Sequence, residues 1–264
     1  MNSKSCFAFL VIVLIFSVAA NAADRVKKHR LYLEWGYNKD WYSSSTISFK
    51  GAENESLRYD FIVRDAKAGD EFRGDRIISG PFVPQYSYRI GFIIDTVKNW
   101  GIEFNYDHSK YVVEKGQTAF AAGYINESVF AKDTTIDDPF LLFEHTNGAN
   151  FCMFNFVKER PFYSTRNKKF HFVHTLKIGA GVVVPKTYIL INHQELDNDF
   201  HIAGWIAGVE TGIKSCYGDH FYLNLAAKCS YADYQNALGL GNGKVSHHFW
   251  AYEALFTLGY QFAL

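Results

Sequence analysis

The sixteen residues from His247 to Phe262 alternate without a break. Trp250, Tyr252, Ala254, Phe256, Leu258, Tyr260 and Phe262 fall in one phase, and Ala251, Glu253, Leu255, Thr257, Gly259 and Gln261 fall in the other. A period of two describes a strand whose successive side chains point to opposite faces. One face here is apolar and aromatic from end to end. A long strand with aromatics at both ends of its apolar face is suited to crossing a bilayer, where amphipathic rings settle at the headgroups.

Other segments repeat the pattern. Tyr86, Tyr88, Ile90, Phe92 and Ile94 share a phase, and after a tight turn at 95–99 so do Trp100, Ile102, Phe104 and Tyr106. Phe140 to Lys158 reads as the next strand region and Phe170 to Val184 as another. His201 to Ser215 turns Ala203, Trp205, Ala207, Val209 and Ile213 outward, and Phe221 to Ala227 follows the turn at Tyr217-Gly218-Asp219. Short turns near 96, 165 and 218 alternate with long polar stretches at 114–138, 193–199 and 239–244. With Arg30 to Trp41 as the first strand, the fold class is all-β, an antiparallel up-and-down transmembrane β-barrel of eight strands. Residues 42–84 break the parity. They are expected to form an extracellular extension, the alternative being a ten-strand barrel. No internal repeat divides the chain, and residues 23–264 are expected to form one barrel domain.

At the other end, Lys4 precedes an apolar run from Phe7 to Val18 and the small residues Ala20-Asn21-Ala22. This is the pattern of a cleaved secretory signal over residues 1–22, too short for a membrane anchor. Aromatic residues make up 17% of the chain, which suits many strands with interfacial belts. Lys+Arg and Asp+Glu both number 27 and no basic block occurs, so nucleic acid is not an expected partner. Cys152, Cys216 and Cys229 are an odd number in the mature chain and are expected as thiols filling small apolar spaces.

With its leader, its alternating strands and the ending Phe256, Leu258, Tyr260, Phe262, the chain resembles bacterial outer-membrane β-barrel proteins of the small eight-stranded type. That resemblance implies a Gram-negative source and the outer membrane as location, reached by export through the inner membrane. It also implies outer-membrane lipids, lipopolysaccharide among them, as surroundings. The barrel-assembly machinery would read a terminal aromatic, here Phe262, although Ala263 and Leu264 follow it. Short turns would face the periplasm and long loops the exterior.

If the aromatic phase faces lipid, the opposite phase faces the lumen. It carries Glu34, Arg89, Glu103, Asp107, Lys177, Glu210, Lys214, Lys228 and Glu253, with Asn105, Thr175, Asn224 and Gln261 between them. Five acids and four bases are mixed, and an eight-strand barrel is narrow enough to be filled by side chains. The expectation is a salt-bridged plug, and a structural or surface-interaction role through the extracellular loops. Gly204, Gly208 and Gly212 fall on the same inner face, as room for larger neighbours. The runner-up readings are a narrow solute channel and a lipid-modifying enzyme similar to the lipid A deacylases.

The enzyme reading turns on Phe143 to Asn150, where the phase breaks and a bulge near Asn147-Gly148 would restore it. Glu144, His145 and Thr146 bring an acid, a base and a hydroxyl together in sequence, and Glu103 is a further carboxylate. Neighbours on a strand face opposite ways, so a structural histidine is the expected role of His145. The same geometry lets only one of His247 and His248 join His193 or His201 at any one site. No cofactor and no metal are expected. Lys39, Asp40 and Trp41 read as an outer aromatic belt with its polar rim.

Overall fold

The computed structural model describes residues 29–52, 57–70, 72, 85–167 and 169–264. The expected leader lies outside the described residues. What is described is all-β, with seventeen strands and one 3-10 turn at Leu240–Asn242. Among the described residues no helix is long and apolar enough to cross a membrane.

Eight strands are long and pair antiparallel in one order: β1 (Arg30–Tyr42), β5 (Tyr86–Asp95), β6 (Trp100–His108), β11 (Phe151–Ser164), β12 (Phe170–Val183), β15 (Gly204–Tyr217), β16 (Phe221–Leu238) and β17 (Lys244–Ala263). β17 also pairs with β1, from Arg30 opposite Ala263 to Tyr42 opposite Ala251, so the order returns to its first strand. The remaining nine strands are more than the eight- or ten-strand expectation provided for. They build a head at one end of the array.

The head combines an extension of the array's own sheet with a second, separate sheet of five strands. β2 (Ser45–Lys50) takes over where β1 leaves β17, placing Lys50 opposite Lys244, and β3 (Tyr59–Ala66), β8 (Gln117–Ile125) and β9 (Ser128–Ile136) follow beside it. The second sheet runs β14 (Gln194–Phe200), β13 (Lys186–Ile191), β10 (Leu141–His145), β7 (Tyr111–Val113) and β4 (Ala68–Gly69). Phe49, Phe61, Tyr111 and Phe143 from these sheets share one buried apolar core with Phe151, Ala232, Tyr234 and Phe249 of the array. Four sequence expectations change here. The polar stretch at 114–138 is the β8–β9 hairpin, and the polar stretch at 193–199 is strand β14. Phe140 to Lys158 is two strands in different sheets, with a turn where a bulge was expected. Gly148 (φ 126°) and Asn150 (φ 26°) adopt the backbone that lets the chain leave β10 and enter β11. Ala203 is buried in the core instead of facing outward.

The opposite end carries the tight turns together with the start of β1 and the end of β17. In the first turn Asp95 Oδ1 accepts the amides of Val97 (2.9 Å) and Lys98 (2.8 Å). Behind this end lies a small buried cluster of Tyr32, Ile93, Val157, Val173, Cys216 and Tyr222. None of the three described cysteines forms a disulfide.

The outer face of the array is apolar, with Phe154, Ile178 and Leu225 all more than half exposed. Two aromatic belts bound it. Trp205, Tyr231 and Trp250 pack together through tilted and edge-on contacts at the head end, while Phe170 with Tyr217, and Phe221 with Tyr260, lie at the turn end. Trp250 and Tyr260 are ten residues apart on β17. At about 3.3 Å per residue and a tilt of about 40°, that separation is roughly 25 Å, the height of a barrel's apolar band.

Candidate functional site

The inner face of the array holds the chain's most concentrated chemistry. All nine charged residues expected there are buried, as are Asn105, Thr175, Asn224 and Gln261. Their alternation with the exposed aromatics follows from the two-residue period of each strand.

Three linked groups fill the interior from the turn end upward. Lys214 lies 3.0 Å from Glu159 and 3.3 Å from Glu34, and its ammonium sits over the rings of Tyr32 (4.0 Å) and Tyr222 (4.5 Å). Glu34 also accepts hydrogen bonds from Tyr222 (2.9 Å), Thr257 (2.9 Å) and Asn224 (3.2 Å). In the second group Lys177 bridges Glu103 (2.7 Å) and Glu210 (3.0 Å), and Arg89 reaches Glu210 at 2.8 Å. Tyr32 donates to Glu103 at 2.6 Å, tying the first group to the second. In the third, Lys228 bridges Asp107 (2.5 Å) and Glu253 (2.9 Å). A buried charge is tolerable when paired in this way, and Glu34, Glu103 and Asp107 gain hydrogen bonds besides, whereas Glu253 is held by its ion pair to Lys228.

Two inward acids escaped the sequence reading. Glu159 pairs with Lys214 and with Arg30 at the turn-end rim. It is in phase with Asn155 and Val157, a signal hidden by treating Phe140–Lys158 as one strand. Asp40, expected on the outer rim, is buried instead and accepts from Asn38 (3.1 Å) and Gln85 (3.1 Å). Lys39 faces the other way and pairs with Asp70, while Trp41 is exposed as a belt residue would be.

The residues weighed for catalysis do not share a site. Glu103 is held by Lys177, Tyr32 and Asn155 deep in the array. Thr146 Oγ1 donates to Glu144 Oε1 at 3.4 Å in the turn after β10. His145 points the other way, into the core under the head. Its Nδ1 is 3.0 Å from Thr187 Oγ1 and its Nε2 is 3.3 Å from His247 Nε2. Phe143, Tyr111, Tyr234 and Phe249 surround the two imidazoles. Burial in this apolar box pulls the His145 pKa down to about 3. A histidine held neutral with no carboxylate beside it lacks the orienting acid of a hydrolytic triad. Of the four histidines considered together, His247 faces His145, while His193 lies in the β13–β14 turn and His201 follows β14. Among the described residues no group of three or more His, Cys, Asp and Glu side chains is placed to hold a metal ion.

No family model matches the chain, and no curated protein matches it. Solved structures similar to it include the outer membrane protein OprG from Pseudomonas aeruginosa (12% identity, 91% of this chain and 98% of that one, TM-score 0.35). The outer membrane protease OmpT from Escherichia coli is another (9% identity, 91% and 99% covered, TM-score 0.36), as is the outer membrane protein AlkL (10% identity, 94% and 96% covered, TM-score 0.36). The chain is similar to small outer-membrane β-barrel proteins. Identities and TM-scores this low assign no role.

Proposed function

We propose that the eight long strands form a closed transmembrane barrel of the outer membrane, shut to solutes, that carries a rigid β-structured head on the cell surface for contact with an external partner. The observation that carries this reading is the continuous filling of the interior. An apolar cluster lies at the turn end, three ion-paired groups lie above it, and the head's own core joins Phe151 and Phe249 of the array. An eight-stranded ring has room for side chains and little else. The head supports the binding role, because nine of the seventeen described strands lie outside the array and most of them contribute to one buried core. In this reading β2, β3 and β4 belong to the extracellular head, the tight turns face the periplasm, and lipopolysaccharide surrounds the head end. The terminal strand presents Phe262 to the assembly machinery.

Planar-bilayer recording of the folded chain tests closure. The expected record has no discrete openings for small ions. Stepwise conductance that responds to substitution of Lys177 or Lys228 would replace the closed reading with a conduit. Acyl release from outer-membrane lipid, followed by mass spectrometry for wild type and His145→Ala, is expected to be equal and negligible.

A further inference from the structure

Strands β6, β11 and β12 are neighbours, and their turn-end half differs from the rest of the array's outer wall. Lys158 lies opposite Trp100 on β6, and Arg160 lies opposite His174 on β12. Lys98 in the adjacent turn, and Arg166 and Lys169 in the β11–β12 turn, are exposed. Lys158 donates to the carbonyl oxygen of Lys98, which brings two of these bases together at the level of Trp100. The acids on the three strands, Glu103, Asp107 and Glu159, all point inward and are consumed by Lys177, Lys228, Lys214 and Arg30. Among the described residues none of the five bases is in an ion pair with a carboxylate. The hairpin also carries exposed aromatics, Phe162 and Tyr163, packed against Phe172. The head's bases, by contrast, are interspersed with acids, as in Glu114-Lys115 and Lys132-Asp133.

A basic cluster beside interfacial aromatics is complementary to anionic headgroups. Ammonium and guanidinium groups meet phosphate while rings and alkyl stems lie along the upper acyl chains. We propose that this wall is a binding surface for anionic phospholipid headgroups of the periplasmic leaflet. The inference rests on the orientation given under Proposed function, which places the tight turns in that leaflet. Lipopolysaccharide offers phosphate too, but on that orientation it lies at the head end, where bases among the described residues alternate with acids, as at Glu114-Lys115 and Lys132-Asp133.

The test uses the full folded chain in nanodiscs of mixed phosphatidylcholine and phosphatidylglycerol, with retained lipids counted by native mass spectrometry. Wild type is expected to retain phosphatidylglycerol preferentially, in a salt-sensitive way. Lys158→Gln, Arg160→Gln, Arg166→Gln and Lys169→Gln combined are expected to lower that preference roughly tenfold. Lys50→Gln, Lys67→Gln, Lys115→Gln and Lys132→Gln combined should leave it unchanged. Absence of preference in wild type, or equal loss in the two sets, overturns the inference. So does preferential retention of lipopolysaccharide when it is offered in place of phosphatidylglycerol. Orientation is read separately, by membrane-impermeant thiol labelling of Val97→Cys on intact cells. Labelling there would overturn the orientation itself, whereas a protected Val97→Cys without lipid preference would overturn the lipid site alone.

Discussion

At the scale of single residues, the interior depends on few bases shared among many acids. Lys177 is 2.7 Å from Glu103 and 3.0 Å from Glu210, and all three are buried. Lys177→Met removes the cation and leaves Arg89 as the remaining base for both carboxylates. Loss of one member of a buried pair destabilises by about 3–5 kcal/mol. The urea midpoint of the heat-modifiable folded form should fall accordingly. Adding Glu103→Gln to Lys177→Met should restore much of the loss, because one base, Arg89, then faces one carboxylate, Glu210, at 2.8 Å. Gly91 fixes the same region from another side. A Cβ there would lie 2.0 Å from the Tyr32 ring, whose hydroxyl is committed to Glu103 at 2.6 Å. Gly91→Ala is therefore expected to destabilise by about 1–3 kcal/mol. Gly69→Ala, where the added Cβ meets nothing within 4 Å, should be silent by the same assay.

At the scale of elements, β10 is the strand whose docking should respond to acid. His145 carries it into the core, and its folded pKa of about 3 lies below the ordinary value of 6.5. The unfolded segment therefore binds a proton that the folded one refuses. The stabilisation is complete above pH 6.5 and is lost as pH falls toward 3, up to about 5 kcal/mol in all. Hydrogen exchange of β10 and its partner β13 should quicken over that window, and His145→Phe should flatten the pH dependence. Unchanged protection of β10 between pH 7 and pH 4 would remove the effect. This strand also marks where sequence reasoning stops. The long strands of the array are legible because lipid on one side and a filled interior on the other impose opposite polarity on alternate residues, as β17 does over its whole apolar stretch. The head offers no such contrast. β9 is exposed over most of its length and reads as a polar loop, and β14 is carried by Glu195, Asp197 and Asp199. Nine of the inner charges were legible from phase alone, whereas Glu159 and Asp40 were not. The pairing of His145 with His247 was not, because it joins residues 102 apart through a fold that local period does not specify.

At the scale of the whole molecule, array and head are held by different forces. Each array strand has hydrogen-bonded partners along both edges, and in a bilayer its outer face rests against lipid rather than water. The head depends on apolar burial against water, and β9 and β14 end their sheets with one edge unpaired. Denaturant weakens water-driven burial directly. In detergent, urea should therefore release the head before the array. Exchange of β8, β9, β13 and β14 amides is expected at urea concentrations where β15, β16 and β17 remain protected, with the folded gel mobility of the array retained. The core shared through Phe151, Tyr234 and Phe249 sets how far the two transitions separate, because unfolding the head also exposes the top of the interior. Phe249→Ala, which shortens a ring stacked on Tyr111 and Tyr234, should bring head release to lower urea while leaving the array transition nearly in place. Coincident loss of protection in all strands would mean that the head and the array fold as one cooperative unit.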